Sequence, residues 1–247
     1  MKVSIIGYGE MAKAIANGLK GEVKFEVVGR DEKKLKEFAK EFGCEYFLIN
    51  GYDITSKNVI LAVKPYALKD IGEMLKGEAE VLISILAGKS LEEIKKYIKS
   101  KFYLRAMPNV AAKYKASTTA VTGDKEAREV GKFVLSKIGD VVWVNGDDEI
   151  DMATAIIGSG PAFLALIAEA VCDGGVYIGL KREISEKLTR GLFKSFCAID
   201  DNFATIKNQV MSPKGTTAEG IKTLEEEGIR GKMMKGVIKT YEKSKNI

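Results

Sequence analysis

Lys2-Val3-Ser4-Ile5-Ile6-Gly7-Tyr8-Gly9-Glu10-Met11-Ala12 decides the fold. Val3 to Ile6 reads as a buried strand and 11–19 as a helix, with GxGxxA between them. In that setting each small residue has a physical use. Gly7 allows a tight turn, Gly9 lets backbone approach a pyrophosphate, and Ala12 lets helix and strand pack closely. The helix N-terminus adds N–H donors and the positive end of its dipole. The spacing points to a dinucleotide site. The competing reading is a tight βα turn whose glycines serve geometry alone.

Working outward, 25–28 reads as a second strand, followed by a helix on which Leu35, Phe38, Ala39 and Phe42 recur at helical spacing. Runs at 59–63, 81–85, 102–104 and 141–144 continue the strands, with helical stretches near 67–75, 91–98 and 127–138 between them. Alternating strand and helix with continuously apolar strands predicts an α/β fold with a mainly parallel sheet covered on both faces. After Gly146 the pattern turns all-helical, with helices expected at 161–178, 183–196, 216–226 and 231–245. Two domains are therefore expected, 1–146 and 147–247.

Composition narrows the function. The chain has 247 residues, 46% hydrophobic and 30% charged, which is ordinary for a globular protein. Its 39 Lys+Arg and 34 Asp+Glu give a formal +5, spread among acids rather than gathered into a basic stripe, so no nucleic-acid partner is expected. Histidine is absent, which removes imidazole catalysis and His-ligated metals. Cys44, Cys172 and Cys197 form no CxxC pair, so no metal site is expected and a reducing compartment is favoured. The apolar stretch 153–168 is interrupted by Gly158-Ser159-Gly160-Pro161 and falls short of a membrane span. With a strand at the N-terminus in place of signal-peptide flanks, a cytoplasmic protein is expected.

The second strand ends Gly29-Arg30-Asp31. Arg30 suits a 2′-phosphate, favouring NADPH over NADH, whereas Asp31 is either a ribose acid or an N-cap for the next helix. Ala62-Val63-Lys64-Pro65 and Ile85-Leu86-Ala87-Gly88 follow parallel strands at their ligand-binding ends. Lys64 is either part of that site or an ordinary surface lysine. Arg105-Ala106-Met107-Pro108-Asn109 is either another cleft-lining turn or a strand terminator. Gly158 to Ala162 predicts a kinked helix entrance that permits close backbone approach. Met211-Ser212-Pro213-Lys214-Gly215-Thr216-Thr217 is either a carboxylate socket at a helix start or a threonine N-cap.

Taken together, Gly7–Ala12, Ala62–Pro65, Ile85–Gly88, Arg105–Asn109, Gly158–Ala162 and Ser212–Thr217 resemble the pyrroline-5-carboxylate reductase family, in order and across nearly the whole chain. GSGPA followed by SPxGTT is the specific part. The resemblance implies a Rossmann-like NAD(P)-binding domain and a helical dimerisation and substrate domain. It further implies a homodimer that often assembles further, for example into a decamer. The reaction is reduction of the small cyclic imine 1-pyrroline-5-carboxylate to L-proline, the last step of proline biosynthesis. By position, Ile6, Gly7, Tyr8, Gly9, Glu10 and Met11 line the pyrophosphate, with Arg30 and Asn50 near the adenosine ribose. Ala62, Val63, Lys64, Pro65 and Ala87 line the nicotinamide side. Ser212, Gly215, Thr216 and Thr217 hold the substrate, with Thr217 at the ring nitrogen and Asp147 as an acid nearby. Lys214 stands where the family has glycine, and Asp147 where it has glutamate.

Two rival classes fit the architecture. A β-hydroxyacid dehydrogenase needs a lysine on the first long interdomain helix, and none lies between Pro161 and Gly179. A nucleotide-sensing module has no use for the SPKGTT socket.

Overall fold

The structure, a computed structural model, describes residues 1–244. It forms two compact units, one comprising 1–158 together with the chain from Tyr241, the other Ser159–Thr240.

The first unit is built on eight strands: β1 (Lys2–Ile6), β2 (Lys24–Gly29), β3 (Glu45–Leu48), β4 (Asn58–Leu61), β5 (Ala79–Ser84), β6 (Ser100–Met107), β7 (Ser117–Gly123) and β8 (Gly139–Trp143). Their order is β3-β2-β1-β4-β5-β6-β7-β8. All neighbours run parallel except β6 and β7, which are antiparallel. The chain order reverses between β1 and β4, which opens a crevice beyond their carboxyl ends.

Side-chain alternation distributes the core over both faces. Val3, Ile5, Val27, Ile60 and Ile83 pack against α1 (Glu10–Leu19), α2 (Glu32–Phe42) and α5 (Arg128–Leu135). Ile6, Val28, Val59, Leu61 and Leu82 pack against α3 (Leu68–Met74) and α4 (Leu91–Tyr97). Two strands were not expected. β3 is four residues at the sheet's edge, mostly exposed. β7 reads Ser-Thr-Thr-Ala-Val-Thr-Gly, and its buried hydroxyls, Ser117 and Thr119, hydrogen-bond each other at 3.1 Å.

The expected division at residue 146 also differs from the compact units. α6 (Gly146–Ala153) follows the last strand directly, and its Ile150 is buried with Met107 and Ala120 of the sheet. Burial of that side chain keeps the first helix after the sheet in the first unit.

The expectation that 153–168 falls short of a membrane span is corrected, while the irregular helix entrance expected at 158–162 is present. The helical run Gly146–Tyr177 is long and apolar enough, by length and composition, to cross a membrane. A π-turn at Thr154–Gly158 and a turn at Ser159 precede the proline. Pro161 then falls in the first turn of α7 (Gly160–Tyr177), where its missing N–H costs little.

The second unit continues with α8 (Arg182–Cys197), α9 (Phe203–Val210), α10 (Thr216–Glu226) and α11 (Ile229–Ser244). Of the helix expected at 231–245, Lys245 lies outside the described residues. α7 and α8 pair through small residues. Ser185 Oγ donates to the Cys172 carbonyl at 2.8 Å, and Gly175 leaves room for the Ser185 hydroxyl. Beyond Cys172 and Ile206, few apolar side chains are buried here, while Leu164, Leu166, Leu188, Leu192 and Phe203 are exposed.

One charged group lies inside the first unit away from the crevice. Glu26 on β2 is 1% exposed and accepts hydrogen bonds from Ser4 Oγ at 2.7 Å, Lys57 Nζ at 3.2 Å and the Tyr52 hydroxyl. Lys2 Nζ lies 2.5 Å from its other oxygen. Burial alone would raise its carboxyl, but the bonds from Lys2, Tyr52, Ser4 and Lys57 outweigh it and hold the group at about 2, below the ordinary 4.5. The folded state therefore binds this proton less readily than the unfolded chain. The stability involved is present above pH 4.5 and is lost as pH falls toward 2. It amounts to about 3 kcal/mol, of which about 2 kcal/mol is gone by pH 3. Urea unfolding between pH 6 and pH 3 should show wild type losing about 2 kcal/mol more than Glu26→Gln; parallel losses would contradict this.

Candidate active site

The crevice at the reversal of strand order holds a cavity of about 640 Å³, ample for much of a dinucleotide. Its floor is the turn from β1 to α1. Gly7 has φ 121°, and a Cβ there would lie 2.3 Å from the Ala62 carbonyl oxygen. The two βα loops thus meet backbone to backbone, secured by hydrogen bonds from Gly7 N to Val28 O at 2.9 Å and from Ala62 N to Ile6 O at 2.8 Å. Gly9 differs: a Cβ there would meet nothing within 4 Å. It is the N-cap of α1 and supplies no side-chain cap, so the first-turn N–H groups face open space. Bare donors at a helix start beside a side-chain-free cradle fit a pyrophosphate.

The walls carry positive charge. Arg30 and Lys64 both line the cavity, both are exposed, and neither has an ion-pair partner among the described residues. Asp31 resolves as a helix cap, its Oδ1 accepting from Lys34 N at 3.1 Å. The cap leaves Arg30 as the free charge at the end of β2.

The cavity brings together most of the residues expected from sequence: Ile6, Gly7, Tyr8, Gly9, Glu10, Met11, Arg30, Ala62, Val63 and Lys64. Pro65, Asn50 and Ala87 are not on its wall. Pro65 opens the short helical turn after Lys64. Asn50 is exposed on the turn after β3, which is tied to the end of β2 by Ile49 N donating to Gly29 O at 2.9 Å. Ala87 is exposed two residues beyond Ile85, which does line the cavity. Tyr66 was missed; it is 83% exposed at the cavity's edge, and its signal was an aromatic directly after Val63-Lys64-Pro65. Gly29 was missed too. Its lack of a side chain leaves space for the Tyr8 ring, 2.6 Å from where a Cβ would sit.

In the second unit, Ser212-Pro213-Lys214-Gly215 forms a tight turn closed by Gly215 N donating to Ser212 O at 3.0 Å. Proline at the second position and Lys214 at φ 60° give type II turn geometry, which prefers glycine where lysine stands. The positive φ costs about 1–2 kcal/mol for a residue with a Cβ. Gly215, not a threonine, is the N-cap of α10. Thr216 and Thr217 therefore begin the helix, and their hydroxyls make no hydrogen bond among the described residues. Two hydroxyls without a partner beside N–H groups that no side chain caps give the turn the chemistry to accept a carboxylate.

Asp147 is engaged elsewhere. Its Oδ1 accepts from Arg105 Nη1 at 2.7 Å and its Oδ2 from Leu91 N at 3.0 Å. Both oxygens are committed within the first unit. Arg105 is 1% exposed, so it lines no cleft.

Comparison with known proteins agrees with this geometry. Residues 147–247 match a family model described as pyrroline-5-carboxylate reductase dimerisation, and residues 2–88 one described as NADP oxidoreductase, coenzyme F420-dependent. A pyrroline-5-carboxylate reductase of Helicobacter pylori is 34% identical, with 98% of each chain covered. One from Synechocystis is 33% identical over 100% of this chain and 98% of its own. The Streptococcus pyogenes enzyme has a similar structure, with TM-score 0.87 at 26% identity, covering 100% of this chain and 99% of that one. The Plasmodium falciparum pyrroline carboxylate reductase with NADP bound gives 0.82 at 26% identity, with 100% and 99% covered.

The two glycines of the first turn should separate fold from ligand. Gly9→Ala should leave thermal stability nearly unchanged and weaken NADPH binding at least tenfold by fluorescence titration. Gly7→Ala should destabilise the fold outright, and a stable Gly7→Ala variant would contradict the backbone contact. Matched over nearly its whole length by a relative 34% identical, and at residues 147–247 by the dimerisation model, this chain belongs to the pyrroline-5-carboxylate reductase family.

Proposed function

We propose that the chain performs its family's reaction, NAD(P)H-dependent reduction of 1-pyrroline-5-carboxylate to L-proline, with NADPH as the preferred donor and as a homodimer in the cytoplasm. The observation that carries this reading is the Gly7–Gly9 cradle flanked by the unpaired Arg30 and Lys64.

Within the first unit, the turn and first helical N–H groups of α1 hold the pyrophosphate. Arg30 offers a planar cationic fork to a 2′-phosphate, which NADH lacks. Asn50 stands beside it at the ribose, and Ala62 to Pro65 with Ala87 border the nicotinamide. When bound, the dinucleotide supplies the hydride that reduces the C=N carbon. In the second unit, Ser212, Gly215 and Thr216 hold the substrate carboxylate, and the Thr217 hydroxyl bonds the ring nitrogen. A protonated imine is the better electrophile, so a hydroxyl that steadies that proton lowers the barrier. We assign the nitrogen to Thr217, since Asp147 already accepts from Arg105 and Leu91 within the first unit.

The homodimer follows from the second unit's lack of a core. Ordering each residue costs about 1–2 kcal/mol of backbone entropy, and each exposed leucine forgoes about 1.5–3 kcal/mol of burial. Leu164, Leu166, Leu188 and Leu192 are all exposed. A second copy, rather than lipid, covers these faces; this reading agrees with the dimerisation model matched at 147–247. Cys44, Cys172 and Cys197 are unpaired, which suits a reducing compartment.

Spectrophotometry at 340 nm with 1-pyrroline-5-carboxylate tests the reading. Arg30→Ala should lower the ratio of NADPH to NADH efficiency at least tenfold, and an unchanged ratio would retire the 2′-phosphate assignment. Thr217→Ala should retain its helicity and lose roughly 10²-fold in kcat/KM. Wild-type rates in that variant would reduce Thr217 to a helix-start residue.

A further inference from the structure

Arg105, the most buried cation of the first unit, has no part in the chemistry above. It lies within β6, between Ser84 of β5 and Thr122 of β7, and is 1% exposed. Nη1 donates to Asp147 Oδ1 at 2.7 Å and Nη2 to Asp151 Oδ1 at 2.5 Å, while Nε has no hydrogen-bond partner. Asp147 and Asp151 are four residues apart on α6, so one helix face presents both carboxylates to one guanidinium. Neutralising Arg105 requires only one of them.

The other has a separate contact. Asp147 Oδ2 accepts from the N–H of Leu91, the first residue of α4, at 3.0 Å. The loop from β5 to α4 is thereby held at both ends. Ile85 N donates to Leu61 O at 3.1 Å at the near end, and Leu91 N donates to Asp147 at the far end. Ile85 lines the cavity, and Ala87 stands exposed between the two anchors. Asp151 bonds the same arginine and no part of this loop.

We infer that Arg105 and Asp147 are positioning residues for the nicotinamide half of the cofactor: Arg105 orients the Asp147 carboxylate, and Asp147 fixes the far end of the loop bordering that half. This rests on the reading of the cavity as a dinucleotide site. Hydride transfer depends steeply on the approach of donor and acceptor, and a displacement near 1 Å costs up to about 10²-fold. Asparagine at 147 keeps the shape of the side chain but exchanges its charge for an amide with no preferred orientation toward Leu91. Asp151 serves as the internal control, because removing its charge breaks a second ion pair to the same arginine without touching the loop.

The test compares full-length wild type with Asp147→Asn and Asp151→Asn. The readouts are steady-state kinetics with 1-pyrroline-5-carboxylate, fluorescence titration with NADPH, and calorimetric titration with 2′-phospho-ADP-ribose, which lacks the nicotinamide. Asp147→Asn should lower kcat roughly tenfold to a hundredfold and weaken NADPH binding. Its affinity for 2′-phospho-ADP-ribose should stay within about twofold of wild type. Asp151→Asn should lose comparable thermal stability and keep its kcat. Equal losses of kcat in the two variants would reduce the cluster to a structural ion pair and overturn the inference. So would a normal kcat in Asp147→Asn, or a shifted pH profile of kcat/KM with unchanged NADPH binding, the mark of a counter-charge. Failure of wild type to bind NADPH would instead sink the dinucleotide reading itself, before any variant is compared.

Discussion

The first unit's site depends on one close approach, the backbone of Gly7 against the carbonyl of Ala62. Because no side chain stands between them, the turn after β1 and the loop after β4 share one floor. That contact falls where the strand order reverses, so the helix start of α1 and the two free cations open onto the same crevice. Had Gly7 carried a Cβ, the loops would part, and Arg30 and Lys64 would border different surfaces.

The two units meet the problem of stability differently. The first buries apolar residues on both faces of its sheet and closes one end with the Glu26 network. The second spends its leucines outward and leaves the hydroxyls of its threonine turn unused. An element with so little interior of its own fits the dimerisation model it matches, and the proposed second copy and carboxylate would complete it from outside. Lys214 at positive φ belongs to the same economy: strain persists in a turn whose shape matters more than its comfort.

Much of this was legible in the residues. The strand–glycine–helix start, the alternation that follows it and the helical character after 146 all report local periodicity, and periodicity survives folding. β7 was invisible because its hydroxyls are satisfied by each other and by the sheet, a property of partners rather than of sequence. β3 is too short and too exposed to leave a pattern. Asp31 presented two roles, and the structure gives it the helix cap. The resemblance alone singled out Asp147, and its partners in the structure, Arg105 and Leu91, were not legible because they are 42 and 56 residues away in the chain. The i, i+4 pair Asp147/Asp151 and an arginine inside an apolar strand were the available clue.

The central claim is that a hydride passes to the imine carbon from one face of a reduced nicotinamide, in a dinucleotide whose pyrophosphate is seated on the glycine turn. Enzyme supplied with NADPH deuterated at either the pro-R or the pro-S position of C4, together with 1-pyrroline-5-carboxylate, tests it by mass spectrometry of the proline formed. The account predicts deuterium at proline C5 from one of the two labelled donors and none from the other. Proline free of label from both donors, or equally labelled from each, would contradict it.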